Sequence, residues 1–331
     1  MQGISSPILA DVTDPAHPGT ICSFTGAWQP QPVTQTMVSW YANQGPAGAP
    51  STSAIVTLDV FSGISAVVAT WQGGGFMDGL YAWSPDQSLL AYVTSDANAV
   101  NIHLLSGGGD RVVASLGSVP PRGVNPTEDD SYLGFSADGG YFALEQTLTG
   151  SGDHLQVRRA LDGGIAFSQA TATMATWAST GSRLYYRKPL GSAISVWDSS
   201  SGVSPALGQS LAWIRPRADA GDDYLAFTVR DGSGTPHVWL YGHGGRAGGE
   251  LTVGVRASPV FLTTTTVFYQ EEASCDPNCG PGPATQPTGR TFTYDIGRGV
   301  ESPSTIASVL GSCHDQARSD GTASPGTHTD S

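Results

Sequence analysis

Six short segments of one kind recur along the chain, each marked by a small or β-branched residue followed by an aromatic one. A turn rich in Ser, Pro, Asp and Gly follows the clearest of them. The pairs are Ala27-Trp28, Ala82-Trp83, Gly134-Phe135, Thr176-Trp177, Ala212-Trp213 and Val260-Phe261. Their spacings run from 36 to 55 residues, and regular spacing of this order is typical of repeat architectures built from one supersecondary unit per repeat.

Strand-forming segments follow each pair in the same order. The first set comprises residues 36–42, 89–94, 141–146, 183–187, 224–229 and 266–270, and the second comprises 55–61, 100–105, 155–161, 194–198, 237–241 and 291–296. Both sets are rich in β-branched and aromatic residues. A shorter fourth segment fits after the next turn, as at 64–69, 111–116 and 250–253. A unit of four strands cannot bury both of its faces alone, so it must stack on its neighbours. The pattern therefore predicts an all-β fold, a six-bladed β-propeller of four-stranded antiparallel blades in a single domain.

One repeat also resembles a known family. Tyr81-Ala82-Trp83-Ser84-Pro85-Asp86, followed by Leu89-Leu90-Ala91-Tyr92-Val93, resembles the "WSPDG, then IAY" signature of TolB-like propellers, also called WD40-like repeats. Phe135 to Leu144 and Trp177 to Tyr186 are weaker copies, and the resemblance extends over residues 21–310. It implies the architecture and has little bearing on activity.

Three regions are expected along the chain. Residues 1–20 form an N-terminal segment, residues 21–312 the propeller, and the polar, Gly/Ser/Thr-rich residues 313–331 a disordered tail. Closure of the fold needs a strand from one terminus, and either residues 7–11 or residues 305–310 would supply the outer strand of the sixth blade.

The four cysteines favour disulfide bonds. Cys22 opens the first blade and Cys313 follows the last, so closure predicts a Cys22–Cys313 bridge. Cys275 and Cys279 would close a small loop in the sixth blade. A metal at this second pair is the alternative, although zinc requires four ligands and no second pair lies nearby in the sequence.

Composition and charge exclude some classes of partner. The chain has 28 acidic and 15 basic residues, a formal charge of −13, and a single lysine. Nucleic acid would be repelled by this charge.

No apolar run is long enough for a transmembrane segment. The even cysteine set and scarce Lys favour an extracytoplasmic protein, periplasmic, cell-surface or secreted, whose signal or anchor was removed or lies outside the chain. Four buried thiols in a cytosolic protein are the alternative reading.

Catalytic motifs and cofactor signatures are not recognised in the sequence. The histidines lack metal-ligand spacings, and the Gly-rich runs lack the Lys and the strand-to-helix context of a phosphate loop. Four aspartates recur near the turn after the third strand, and we interpret them as Asx-turn residues. They are Asp59, Asp162, Asp198 and Asp295. We therefore expect no cofactor.

The long loops are the predicted binding surface. Residues 43–53, 70–78, 117–130 and 272–290 connect second to third strands or successive blades, and so share one face. The candidate binding residues in these loops are Trp71, Phe76, Asp78, Arg122, Glu128, Asp129, Asp130, Glu271 and Glu272. A solvated acidic loop surface without a ligand is the plainer alternative.

These observations favour a monomeric, non-enzymatic module that binds a protein or peptide partner on its loop face. An extracytoplasmic sensor or scaffold domain of a bacterial envelope protein would have this organisation. Two alternatives stay open: a hydrolase or lyase with a metal-assisted site in the central channel, and a carbohydrate-binding module with exposed aromatic platforms.

Overall fold

The computed structural model of the chain consists of strands, turns and short connections. The described residues are 8–11, 19–23, 28–44, 52–72, 80–95, 99–116, 132–148, 152–170, 172–187, 194–207, 216–231, 233, 235–243, 246, 248–251, 254–274 and 285–304. Helices are absent from these ranges, so none of them contains a helix that could span a membrane.

The described strands form one two-stranded and six four-stranded sheets. β1 (Ile8–Asp11) pairs with β2 (Gly19–Ser23). The first four-stranded sheet contains β3 (Trp28–Pro32), β4 (Met37–Gln44), β5 (Thr52–Asp59) and β6 (Ser65–Gln72). The second contains β7 (Tyr81–Trp83), β8 (Leu89–Ser95), β9 (Val100–Ser106) and β10 (Gly109–Leu116), and the third β11 (Tyr132–Phe135), β12 (Tyr141–Leu148), β13 (Gly152–Arg159) and β14 (Ile165–Ala170). The fourth contains β15 (Thr173–Trp177), β16 (Arg183–Arg187), β17 (Ile194–Asp198) and β18 (Gly202–Leu207). The fifth contains β19 (Arg217–Ala218), β20 (Tyr224–Arg230), β21 (Pro236–Gly242) and β22 (Gly249–Glu250). The sixth contains β23 (Arg256–Phe261), β24 (Thr266–Ser274), β25 (Thr285–Asp295) and β26 (Val300–Pro303).

The strand order confirms the predicted repeat of four strands. In every four-stranded sheet the strands follow one another in sequence order and pair antiparallel. The chain divides into two compact units: residues 20–122 hold the first and second sheets, and residues 123–307 hold the third to sixth.

The motif was placed wrongly in the first and fifth repeats. Trp28 begins β3 instead of ending it, and β19 lies at Arg217–Ala218, after the predicted Ala212-Trp213 pair, which is outside the described residues. Several of the turns between first and second strands have one hydrogen bond in common. In it, a side-chain oxygen accepts the first backbone N–H of the second strand. Ser84 accepts from Leu89 in the second sheet (2.9 Å). Thr34 accepts from Met37 in the first (2.9 Å), and Asp219 accepts from Tyr224 in the fifth (2.6 Å). Because hydroxyl and carboxylate oxygens can both accept this hydrogen bond, a Ser-Pro pair is too narrow a sequence signal for the turn.

The sixth sheet takes its fourth strand from residues just after its own third strand. That strand is β26, whereas β1 pairs with β2. Residues 7–11 were therefore wrongly considered for the outer strand of the sixth sheet, and residues 305–310 lie outside the described residues. A turn of four residues suffices to join antiparallel neighbours, so a local strand can fill this position.

Both faces of the fourth sheet are buried, as the repeat requires. In the fourth sheet, Leu184 and Tyr186 pack with residues of the third sheet such as Leu155 and Val157. Tyr185, between them in sequence, packs instead against the fifth sheet. Side chains alternate between the two faces of a strand, so successive residues of β16 join two different cores.

A buried carboxylate ties the third sheet to the fourth. Glu145 of β12 is fully buried, and its two oxygens accept the backbone N–H groups of Met174 and Ala175, both at 2.8 Å. Met174 has a φ of +59°, at the point where the β15–β16 register shifts. The carboxylate therefore satisfies N–H groups that this irregular backbone turns away from β16.

Candidate interaction site

Six of the nine predicted binding residues lie outside the described residues. They are Phe76, Asp78, Arg122, Glu128, Asp129 and Asp130. The cysteines are in a similar position: Cys22 lies in β2 with its side chain undescribed, and Cys275, Cys279 and Cys313 are not described. Their role in binding and both disulfides stay predictions.

Trp71 does not lie in a loop. It is part of β6, where its ring stacks on Tyr92 with centroids 5.2 Å apart and lies 6.0 Å from Tyr41. Tyr92 stacks in turn on His103 at 4.6 Å. Trp71 thus contributes to the packing between the first and second sheets and is not the loop residue that the sequence predicted.

Glu271 is held by basic and hydroxyl groups of its own sheet. Arg256 approaches its Oε1 to 3.0 Å, Arg290 its Oε2 to 3.2 Å, and the Thr288 hydroxyl donates at 2.9 Å. Burial acts to raise the pKa of Glu271, but the Thr288 hydrogen bond and the two arginines outweigh it, so the pKa lies below its usual value. The carboxylate is ionised and already paired within the chain.

Glu272 is buried and belongs to a different contact. Its carboxylate accepts the Thr285 hydroxyl, and Arg230 of the fifth sheet lies 3.5 Å away. The two neighbouring glutamates therefore do not converge on one ligand. Within the described ranges, no group of three or more His, Cys, Asp or Glu side chains is arranged to hold a metal ion.

Apolar side chains are exposed instead at the hairpins that join third and fourth strands, which we call the outer hairpins. In the first sheet, Gly63 donates to the Asp59 carbonyl and Asp59 to the Ile64 carbonyl, both at 2.9 Å. The Asp59 carboxylate also accepts the N–H groups of Phe61 and Ser62, and these bonds hold its pKa below the usual value. The Asx-turn interpretation is confirmed here, and the other three aspartates accept turn N–H groups in the same way.

This geometry turns apolar side chains toward solvent. Phe61 is 83% exposed, Ile64 69%, and Leu161, in the same turn position of the third sheet as Phe61, 86%. Of the large apolar side chains found exposed in the described residues, all except Val260 belong to an outer hairpin or a fourth strand. The others are Val67, Val112, Ile165, Val203 and Val300. Exposed apolar side chains grouped in one hairpin, such as Phe61 and Ile64 of the first sheet, are characteristic of interaction surfaces.

The signal for these residues was present in the sequence. Asp59, Asp198 and Asp295 are each followed four residues later by glycine and then by Ile or Val. The glycines, Gly63, Gly202 and Gly299, all have positive φ, between 68° and 78°. We interpreted the aspartates as turn residues but did not consider the apolar residue after each glycine.

Gly63→Ala should lower the free energy of unfolding by about 1 kcal/mol, because a φ of +70° disfavours any residue with a Cβ. Urea denaturation measures the loss. Gly107→Ala is the matched control: Gly107 lies in the outer hairpin of the second sheet with equally open space around it and without a positive φ. Equal losses in the two variants would mean that φ is not the cause.

A shallow hollow is a second feature of the unit that holds the third to sixth sheets. It measures about 290 Å³ and lies at the first-to-second turns of the fourth to sixth sheets. Its lining residues are Ser179, Ala218, Ala220, Phe261, Leu262 and Thr263. These side chains offer apolar and hydroxyl contacts, and none of them can exchange a proton near neutral pH.

Solved structures identify the architecture. The β-propeller domain of the Trilobed protease from Pyrococcus furiosus superposes with a TM-score of 0.57 at 8% identity, covering 86% of this chain and 84% of that one. The fold is a six-bladed β-propeller. Prolyl oligopeptidase B from Galerina marginata also matches, with a TM-score of 0.57 at 15% identity over 87% of this chain and 41% of that one. TolB from Acinetobacter baumannii matches with a TM-score of 0.48 at 15% identity, over 72% of this chain and 57% of that one.

The propeller spans less than half of the oligopeptidase and 57% of TolB. Neither a protein-family model nor a curated protein matches its sequence. At these identities the neighbours establish the fold alone. Each four-stranded sheet is one blade, and the outer hairpins lead into the fourth strand of each blade.

Proposed function

We propose that this propeller is a non-enzymatic module that binds a protein or peptide partner. The observation that carries the proposal is the exposure of apolar side chains at the outer hairpins, above all Phe61 and Ile64, which share one hairpin of the first sheet. Each exposed apolar side chain leaves surface in water that a partner would cover, at about 25 cal/mol per Å². The even cysteine set and the single lysine support an extracytoplasmic location as part of the same proposal.

The acidic residues that the structure describes have a different role. Glu271 and Glu272 are paired with arginines of the chain itself, so they are not free to receive a basic partner without losing those contacts. The proposed surface therefore differs from the one that the acidic loops suggested. The remaining loop residues keep their place as a second, untested part of the surface.

Selection of displayed random 12-residue peptides on the immobilised full chain tests the proposal. We expect enriched peptides to bind at least tenfold more weakly to the double variant Phe61→Ser and Ile64→Ser, a loss of about 1.4 kcal/mol. Val260→Ser, at an exposed position outside the outer hairpins, is the control and should bind unchanged. Failure to enrich any peptide would contradict the proposed function. Peptides that bind both variants equally would contradict the surface.

A further inference from the structure

The outer edge of β6 stands out among the fourth strands. β6 has eight residues, Ser65-Ala66-Val67-Val68-Ala69-Thr70-Trp71-Gln72, and none is charged or proline. It is the last strand of the first sheet, and no strand in the described part of the chain pairs with its outer edge. Such an edge presents a row of backbone N–H and C=O groups that a further strand can use.

Most of the other fourth strands carry features that discourage pairing. β10 contains Asp110 and Arg111, and β18 contains Pro205. β26 contains Glu301 and Pro303, whereas β22 has only two residues. A one-residue irregularity against the third strand occurs in β6, β10 and β14, so it does not distinguish them.

Among the fourth strands that the structure describes, β14 is the one of comparable character. It is also uncharged and free of proline, but it has six residues instead of eight. Its hairpin carries the Arg159–Asp162 ion pair, with 2.9 Å between nitrogen and oxygen. Two residues fewer means fewer backbone hydrogen bonds for an added strand. β14 is therefore a natural control for β6.

Apolar side chains lead directly into β6. Phe61 and Ile64 of its hairpin are 83% and 69% exposed, and Val67 within the strand is 39% exposed. A strand added at this edge would gain backbone hydrogen bonds along β6 and apolar contacts at its start. In strand addition, the backbone supplies affinity and such side-chain contacts supply selectivity.

Charge indicates which strand would pair there. Residues 20–122, which hold the first and second sheets, contain five Asp, no Glu or Lys, and two Arg, a formal charge of −3. The chain as a whole carries −13. An incoming segment with basic residues at its ends would be attracted by this field, while an uncharged middle would match the neutral β6.

We propose that the outer edge of β6 receives an extended segment of a partner protein as an added strand. The segment is uncharged where it pairs and has Lys or Arg on either side. This inference rests on the proposed partner-binding function and specifies its site and the conformation of the bound segment.

A strand-forming probe tests the proposal directly. The probe is a fluorescein-labelled peptide of sequence Lys-Lys-Val-Thr-Val-Thr-Val-Thr-Lys-Lys, titrated into the full chain and followed by fluorescence anisotropy. A second probe has the same side chains and charge, but its valine amides are N-methylated. We expect the methylated probe to bind at least tenfold more weakly, because it cannot donate those backbone hydrogen bonds. Equal affinity of the two probes would overturn the proposal.

Matched variants locate the site. Ala66 and Ala166 are both exposed and hold the second position of β6 and β14. Ala66→Lys should weaken binding of the unmethylated probe at least tenfold, while Ala166→Lys, with the same change of charge, should alter it less than twofold. Hydrogen exchange of residues 65–72 should slow when the probe binds. Equal effects of the two variants, or protection confined to other strands, would overturn the proposal.

The two proposals can fail separately. Displayed peptides that bind the chain but are insensitive to Ala66→Lys would leave partner binding intact and exclude strand addition at β6. Absence of any bound displayed peptide would contradict partner binding itself, whatever the strand probe shows.

Discussion

Glu145→Ala should lower the free energy of unfolding by about 4 kcal/mol. The substitution removes the carboxylate that accepts hydrogen bonds from the buried N–H groups of Met174 and Ala175. Each unpaired buried donor costs about 1–3 kcal/mol, and the lost side-chain volume adds to this. Denaturation in urea at neutral pH measures the change.

Two further variants separate the causes. Glu145→Gln keeps one acceptor oxygen but places an NH₂ group against a donor, so we expect an intermediate loss of about 2 kcal/mol. Glu250→Ala removes a glutamate that is 42% exposed and pairs with His237 at 2.8 Å, and should cost less than about 1 kcal/mol. If Glu145→Ala were no more damaging than Glu250→Ala, the two N–H groups would not depend on the carboxylate.

Arg256→Met should lower the free energy of unfolding by about 3 kcal/mol. The guanidinium lies between two carboxylates, 3.0 Å from Glu271 and 3.0 Å from Glu301, and 4.0 Å from the centre of the Phe292 ring. Only 10% of the Arg256 side chain is exposed. Removing one partner of a poorly hydrated ion pair leaves the other charge uncompensated, which is costly. Methionine keeps the apolar contact with Phe292, so the loss reports on charge.

Arg290→Met is the matched control. Arg290 contacts Glu271 at 3.2 Å and lies over the same Phe292 ring at 5.5 Å, but 69% of its side chain is exposed. Water screens such a pair, and the expected loss is below about 1 kcal/mol. Equal losses for the two arginines would show that burial does not decide the strength of these contacts.

At acidic pH, the difference in the free energy of unfolding between wild type and Arg256→Met should become smaller. The pKa of Glu271 is below its ordinary value of 4.5 in the folded protein. Its contribution to stability is therefore present above 4.5 and is lost as the pH falls through the folded pKa. Denaturation of both proteins at about pH 7 and about pH 3 checks the sign. A larger difference in the free energy of unfolding at low pH would contradict this expectation.

Local patterns predicted much of the architecture and little of the candidate site. The recurring small-aromatic pairs, the turn after Trp83 and the segments rich in β-branched and aromatic residues were enough to find the repeat, because strand propensity and turn chemistry are local properties. The same reasoning misplaced the first strand in the first and fifth sheets. There Thr34 and Asp219 perform the task that Ser84 performs elsewhere.

Contacts between residues that are distant in the chain were beyond the sequence. The adjacent Glu271 and Glu272 looked like one acidic cluster, but Arg256 pairs with the first and Arg230, from the preceding sheet, with the second. The partners of each pair lie far apart in the chain, so no local sequence pattern indicates that they pair. Trp71 was similarly predicted to be a binding residue in a loop. Its neighbours, Tyr41 and Tyr92, come from two different sheets, so the sequence did not indicate this packing.

The sequence by itself determined the number of four-stranded sheets, the antiparallel order of their strands and the turn role of the recurring aspartates, because each depends on residues close together in the chain. The tertiary structure alone decided which charges are neutralised, which aromatic residues are packed, and which apolar residues stay in water. These outcomes depend on which residues, distant in the chain, the fold places opposite each side chain. The exposed outer hairpins and the open edge of β6 are of this second kind.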